Sequence, residues 1–218
     1  MRLVIAIVLL SACGGGGTGG GDDTQVSDAS ASNDAPAPLH GLLVSWTSAP
    51  AVPGPIGNYT TVTSALFHVD RLQVIGDNGQ PMSNIPFDLE WKAQGENPAT
   101  VSFFDAPPGL YSQVNLEIDA AVGTPSYVIR GTVRVSGDTK VFVIEDRGSI
   151  RVDVRGFAVT LPPGGDATVP VRLDLKPALD TVDWSRVTED DGVLELDESS
   201  SQIDGFRDKL DDAFKRGS

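Results

Sequence analysis

The chain has 218 residues, with 16 Lys and Arg against 30 Asp and Glu and a formal charge of −14. A surface this acidic is repelled by phosphate backbones and anionic headgroups, which argues against nucleic-acid binding and electrostatic membrane binding. One cysteine, Cys13, leaves no intrachain disulfide, so the fold must be stable by burial alone; the length allows one well-buried domain or two very small ones.

The chain opens with Met1-Arg2, runs through apolar Leu3 to Leu10, and reaches Leu10-Ser11-Ala12-Cys13. A basic start, a short apolar run and small residues describe an export signal over residues 1–12, too short to span a bilayer. Leu10 to Cys13 resembles the lipobox of bacterial lipoproteins. The resemblance implies cleavage before Cys13, acylation of its thiol, and attachment to a membrane through that lipid, for which two or more acyl chains suffice. Gly14, rather than Asp, follows the cysteine. By the same resemblance this implies delivery to the outer membrane of a Gram-negative bacterium.

Residues 13–38 carry the cysteine and a Gly, Asp, Ser and Pro tether that cannot bury enough apolar surface to order itself. Roughly 25 such residues reach about 25–30 Å. Gly15, Gly17 and Gly20 spell G-x-G-x-x-G, but no strand precedes them and no helix follows, so no nucleotide is implied. No cofactor is expected.

From residue 39 to 183 the apolar pattern has period two. Phe67 and Val69 precede Leu72 and Val74 in shifted phase, and Asp77-Asn78-Gly79 marks a turn. Leu110 to Ile118 alternates as a half-buried strand. Tyr127, Ile129, Val133 and Val135 share a face and lead through Ser136-Gly137-Asp138-Thr139 into Val141–Ile144, a hairpin. Ile150, Val152 and Val154 alternate to Gly156, after which Phe157, Val159 and Leu161 resume out of phase; Val169 to Leu175 is the last strand. The fold class predicted is all-β, an antiparallel β-sandwich of about eight or nine strands with one C-terminal helix. Residues 184–218 read as an acidic loop followed by that helix. Ser199-Ser200-Ser201 is placed to cap it, and Ile203, Phe206, Leu210 and Phe214 form one apolar stripe.

Ala106-Pro107-Pro108-Gly109-Leu110-Tyr111 and the strand after it resemble the P-P-G-x-Y turn of prealbumin-like (transthyretin-like) sandwich domains. Leu42 to Pro50 and Phe67 to Val74 extend the resemblance to lipoproteins of unknown function from Gram-negative bacteria, over roughly residues 41–183. Leu161-Pro162-Pro163-Gly164-Gly165 is a partial echo without the tyrosine. The family supplies no activity to carry over.

Candidate chemistry is sparse. His68 with Asp70 suggests a dyad, but residues two apart on a strand have Cβ atoms about 6–7 Å apart. Neither G-x-S-x-G nor H-E-x-x-H occurs. Glu189, Asp190 and Asp191 are weak Ca²⁺ candidates, being consecutive rather than alternating. Trp46, Trp91 and Tyr111, with Trp184 and Tyr59, are candidates for an aromatic glycan platform, although aromatics equally fill sandwich cores. Glu90, Glu117 and Asp119 are the carboxylates a glycosidase would need, and are also what the wet face of a sheet carries. The expectation is a lipid-anchored binding or structural module of the envelope with no catalysis evident, its partner an envelope protein or a glycan. The alternative is a glycan-binding protein or glycan hydrolase using surface carboxylates.

Overall fold

The computed structural model describes residues 41–92, 98 and 100–217; Cys13, and with it the signal and tether expected over residues 1–38, lies outside the described residues. In chain order the elements are β1 (Leu42–Ser48), β2 (Pro55–Ile56), β3 (Thr60–Gly76), β4 (Met82–Ser83), β5 (Phe87–Lys92), β6 (Val101–Phe103) and β7 (Gly109–Ile118). There follow β8 (Tyr127–Val135), β9 (Asp138–Asp146), β10 (Ile150–Leu161), β11 (Ala167–Leu173) and helix α1 (Lys176–Leu179). A 3-10 turn at Trp184–Arg186, β12 (Thr188–Asp190), β13 (Val193–Leu196), helix α2 (Ile203–Asp211) and β14 (Phe214–Arg216) complete the chain. The protein is mostly β. One sheet has ten strands and the other four, in the order β14-β11-β1-β6.

The larger sheet is organised around β3, which spans 17 residues. Its alternation buries Val62, Ala65, Phe67 and Val69, then Leu72 and Val74. The phase shift expected from the sequence is a bulge at Asp70: Val69 pairs with Ile118 but Arg71 with Glu117. Residues 60–67 of β3 pair with β8 and residues 69–76 with β7. His68 joins the two, its amide donating to Ser126 O (2.9 Å) and its carbonyl accepting from the Asp119 amide (3.0 Å). β7 and β8 therefore lie end to end along one side of β3, and β10 and β9 lie beyond them in the same way. On the other side β5 pairs with residues 64–69 and β4 with residues 72–73. A crease crosses the sheet at His68.

Local sequence explains the tight places. Ser136 (φ +52°) and Gly137 (φ +100°) are both left-handed, as a two-residue hairpin turn matching strand twist requires. A Cβ at Gly131 would fall 2.7 Å from the Phe142 ring, so only glycine admits that ring on the facing strand. Beyond Gly156 the β10–β7 register slips between Arg155 and Val159, the break read from the alternation.

The two sheets share one apolar core. Phe214 on β14 packs edge-on against Phe67 (centroids 5.3 Å apart), and Trp46 on β1 lies 6.2 Å from Phe87 on β5.

Two expectations are corrected. The sheets are mixed, because β1 runs parallel to β11 and β13 parallel to β9, and the strands outnumber the eight or nine expected. Alternation reports which residues face the core and not the direction of the neighbouring strand, and strands of two to four residues are too short to alternate visibly. The C-terminal helix is also shorter than expected. Ser199 and Ser200 bond to Asp197 instead of capping it, and Gln202 stands at the N-cap with its side chain bonded to the Asp183 backbone and not to the helix. Ile203, Phe206 and Leu210 are buried as the stripe requires, but Phe214 belongs to β14, paired with β11.

Helix α2 is fixed to the sheet by one buried carboxylate. The Asp146 side chain, fully buried, accepts from Arg207 Nε and Nη2 (both 2.6 Å), Tyr127 OH (2.9 Å) and the Gly148 amide (3.1 Å). Burial alone would push this carboxyl up. The bonds from Arg207, Gly148 and Tyr127 outweigh it and hold the carboxyl below its ordinary value. Burial, then the adjacent Asp146, raises the Tyr127 phenol, which stays a donor.

Arg207→Ala leaves that carboxylate unpaired and is expected to cost about 3–5 kcal/mol in urea denaturation at pH 7. Because the folded-state value is lowered, the stabilisation is complete above the ordinary carboxylate range and is lost as pH falls below about 4. Asp146→Asn should flatten that acid limb; an unchanged limb would assign it to other carboxylates.

Candidate functional site

The outer side of the crease holds a cleft of about 600 Å³ whose lining includes His68, Asp70, Pro86, Asp88, Asp119 and Thr124. Each element contributes for a local reason. His68 and Asp88 are register partners on β3 and β5, which places their side chains on one face. The His68 Nδ1 lies 2.5 Å from Asp88 Oδ1, and this contact fixes the ring while leaving Nε2 without a protein partner among the described residues. Asp70 is the extra residue of the bulge and is exposed. Asp119 follows β7 directly, and its carboxylate accepts from the Ala120 amide (2.8 Å).

Next along the chain from the lining residues Pro86 and Ala121, two aliphatic side chains stand out in solvent. Ile85 is 78% exposed in the connection before β5, and Val122 is fully exposed in the 119–126 connection. Both belong to the segments that frame the crease. Three carboxylates, an oriented imidazole and apolar lips suit recognition of a polar group that carries a hydrocarbon flank.

The dyad suggested by sequence is replaced by another. His68 bonds to Asp88, twenty residues along the chain, and not to Asp70. Only cross-strand register could have found Asp88, and one sequence does not carry it. The apolar lips were also missed, since single exposed aliphatics look unremarkable in sequence.

The aromatic platform is corrected outright. Trp46, Trp91 and Tyr111 are all buried, Trp91 edge-on against Phe67 and Tyr111 donating its OH to Pro107 O (2.7 Å). Trp184 packs on Phe142 at 4.7 Å, and Tyr59 is exposed at the turn before β3. The tyrosine of the P-P-G-x-Y segment therefore locks its own turn, helped by the Leu110 amide bonding to Asp77 Oδ1 (2.9 Å) and Asn78 Nδ2 to Pro108 O (2.9 Å).

The remaining carboxylates are dispersed. Glu90 pairs with Lys92 (2.8 Å), and Glu117 takes Arg71 (3.0 Å). Glu189 and Asp190 are not in a loop but on β12, and Asp191 with Gly192 forms its turn into β13. Neighbours on a strand point to opposite faces, so Glu189 and Asp190 cannot converge on one cation. Glu189 instead holds Lys140 (2.8 Å), whose ammonium that bond keeps above its ordinary value. Among the described residues no group of three or more His, Cys, Asp or Glu has metal-holding geometry.

Millimolar calcium is accordingly expected to leave the melting temperature of the purified protein unchanged. A rise of several degrees, abolished by Asp190→Asn, would restore the β12–β13 hairpin as a cation site.

No known family, no curated protein and no solved structure matches this chain.

Proposed function

We propose that this chain is a lipid-anchored module of the bacterial cell envelope, held at the outer membrane through Cys13, whose prealbumin-like β-sandwich binds an envelope protein or glycan. The observation that carries the binding role is the crease cleft, with its oriented His68–Asp88 pair and the exposed Ile85 and Val122 at its margins. An aliphatic side chain as exposed as Val122 gains from being covered, at roughly 25 cal/mol per Å² of apolar surface removed from water.

The anchoring role is supported by the Leu10-Ser11-Ala12-Cys13 segment and the glycine-rich residues after it. Among the described residues no helix is long and apolar enough to cross a membrane, so the lipid is the attachment this reading calls for. The prealbumin-like reading is supported by the clamped Pro107-Pro108-Gly109 turn leading into β7.

Cys13→Ala is expected to move the protein from the membrane to the soluble fraction of lysed cells. Persistent membrane association would overturn the anchor. For the cleft, a photo-cross-linking residue at Val122 should give a discrete adduct in intact envelopes, one lost in a His68→Ala, Asp88→Ala background. The same residue at Val141, exposed on β9, is the control; equal labelling at both positions would remove the cleft from the reading.

A further inference from the structure

Below the crease, the outer face of β3, β7 and β10 carries a grid of side chains in strict register. The first row is Arg71, Glu117 and Arg151; the second is Gln73, Asn115 and Asp153; the third is Ile75, Gln113 and Arg155. All nine point away from the core, because the intervening Leu72, Val74, Val114, Leu116, Val152 and Val154 are buried. Rows two residues apart are separated by about 7 Å and neighbouring strands by about 4.8 Å. A groove of about 250 Å³ is lined by the side chains of the first two rows, Asn115 among them.

Eight of the nine groups are planar and hydrogen-bonding on more than one atom, and the orientations of the three amides are already set. Gln113 Nε2 donates to Asn115 Oδ1 (2.5 Å), and Gln73 Nε2 donates to Gln80 Oε1 (3.1 Å). Asn115 Nδ2 and Gln113 Oε1 keep no protein partner among the described residues. A ligand that bonds to them does not have to order them first, which lowers the cost of binding. Groups that present paired donors and acceptors at fixed spacing match the vicinal hydroxyls of a sugar ring.

The charges add a second requirement. Glu117 is shared between two arginines, 3.0 Å from Arg71 but 3.8 Å from Arg151, and Arg151 is 81% exposed. Arg155 is matched by Asp153 at 3.1 Å. The grid thus holds three guanidinium groups against two carboxylates, on a chain whose total is −14. The unbalanced guanidinium is Arg151, and its planar fork suits a carboxylate taken through two bonds.

We propose that this face binds a carboxylate-bearing glycan, its acid group on Arg151 and its hydroxyls on Asn115, Gln113 and Gln73. The acidity of the rest of the chain disfavours a long polyanion, but charges beyond about 8 Å are screened at physiological salt. A short or sparsely charged sugar segment therefore meets mainly the local grid. This inference rests on the reading of the protein as a binding module, and names a ligand class and a face distinct from the crease cleft.

The test is calorimetric titration of the full-length protein in non-ionic detergent, which does not depend on where the chain resides in the cell. Three probes are compared: trigalacturonate, neutral maltotriose and citrate. Trigalacturonate is expected to bind, and the other two to bind at least about tenfold more weakly, as loss of a charged hydrogen-bonded pair or of the hydroxyl contacts predicts. Arg151→Gln and Asn115→Ala should each weaken trigalacturonate about tenfold with the melting temperature unchanged, while His68→Ala leaves it unaffected. Absence of trigalacturonate binding, or equal binding of citrate or of maltotriose, overturns the proposal. Loss on His68→Ala with retention in Arg151→Gln overturns it too, and would return the ligand to the cleft.

Discussion

The carboxylate of Asp146 is the point on which the larger sheet, its crease and helix α2 all depend. It sits at the end of β9, where the sheet turns into β10, and it is fully removed from water. A bare carboxylate there would be prohibitive. Two bonds from Arg207, one from Tyr127 and one from the Gly148 amide satisfy it, so the helix, the neighbouring strand and the turn are tied to one group. The same arrangement orients the aromatic stack beneath the crease, with Tyr127 between Phe67 and Phe206 at centroid distances of 6.2 and 6.1 Å. Such a pair adds less to stability than its bond count suggests. Its value lies in geometry, since a helix displaced by one turn would strand the charge.

The crease therefore has a closed inner side and an open outer one. Inside, Phe67 is covered by Phe214 of β14 and Tyr127 by Phe206 of α2; outside, the next residue along from Phe67, His68, stands beside the exposed Asp88. Breaks in β7–β8 and in β4–β5 fall opposite the same few residues of β3, which is why two connections project there and carry exposed aliphatic groups. The functional reading rests on this coincidence of breaks more than on any single side chain.

Much of the layout was legible in the sequence, and the legible parts share a cause. β7, β10 and β11 each bury alternate residues over five positions (Val114 to Ile118, Ile150 to Val154, Val169 to Leu173), enough for period two to stand out. In β7 the alternation does not extend back to Leu110, which is exposed while Tyr111 is buried. The Asp70 bulge and the break after Gly156 shifted the phase visibly, and Ser136-Gly137 marked its hairpin. What could not be read is what depends on partners far along the chain. The parallel pairing of β1 with β11 joins residues about 125 apart, Leu42 opposite Ala167, and nothing local encodes it. Trp46, Trp91 and Tyr111 misled because an aromatic on a strand serves a core or a platform equally well, and only packing decides. The acidic Glu189–Asp191 run read as a loop because its strand, three residues long, is anchored by register to β13 and by Lys140, not by apolar alternation. The polar grid was invisible for a related reason: Gln73, Asn115 and Asp153 are unremarkable one by one, and become a surface only once three strands align them.

β5 has one further consequence. Among the described residues it is bonded to β3 on one side only, so its other side presents a bare strand margin. Asp88, Glu90 and Lys92 line its outward face. Two chains that meet sideways approach through such bare strand margins, which can zip into fibres. Charged side chains at every second position make that encounter repulsive or poorly matched. Crowding tolerance is thus written into the strand that also supplies Asp88 to the crease.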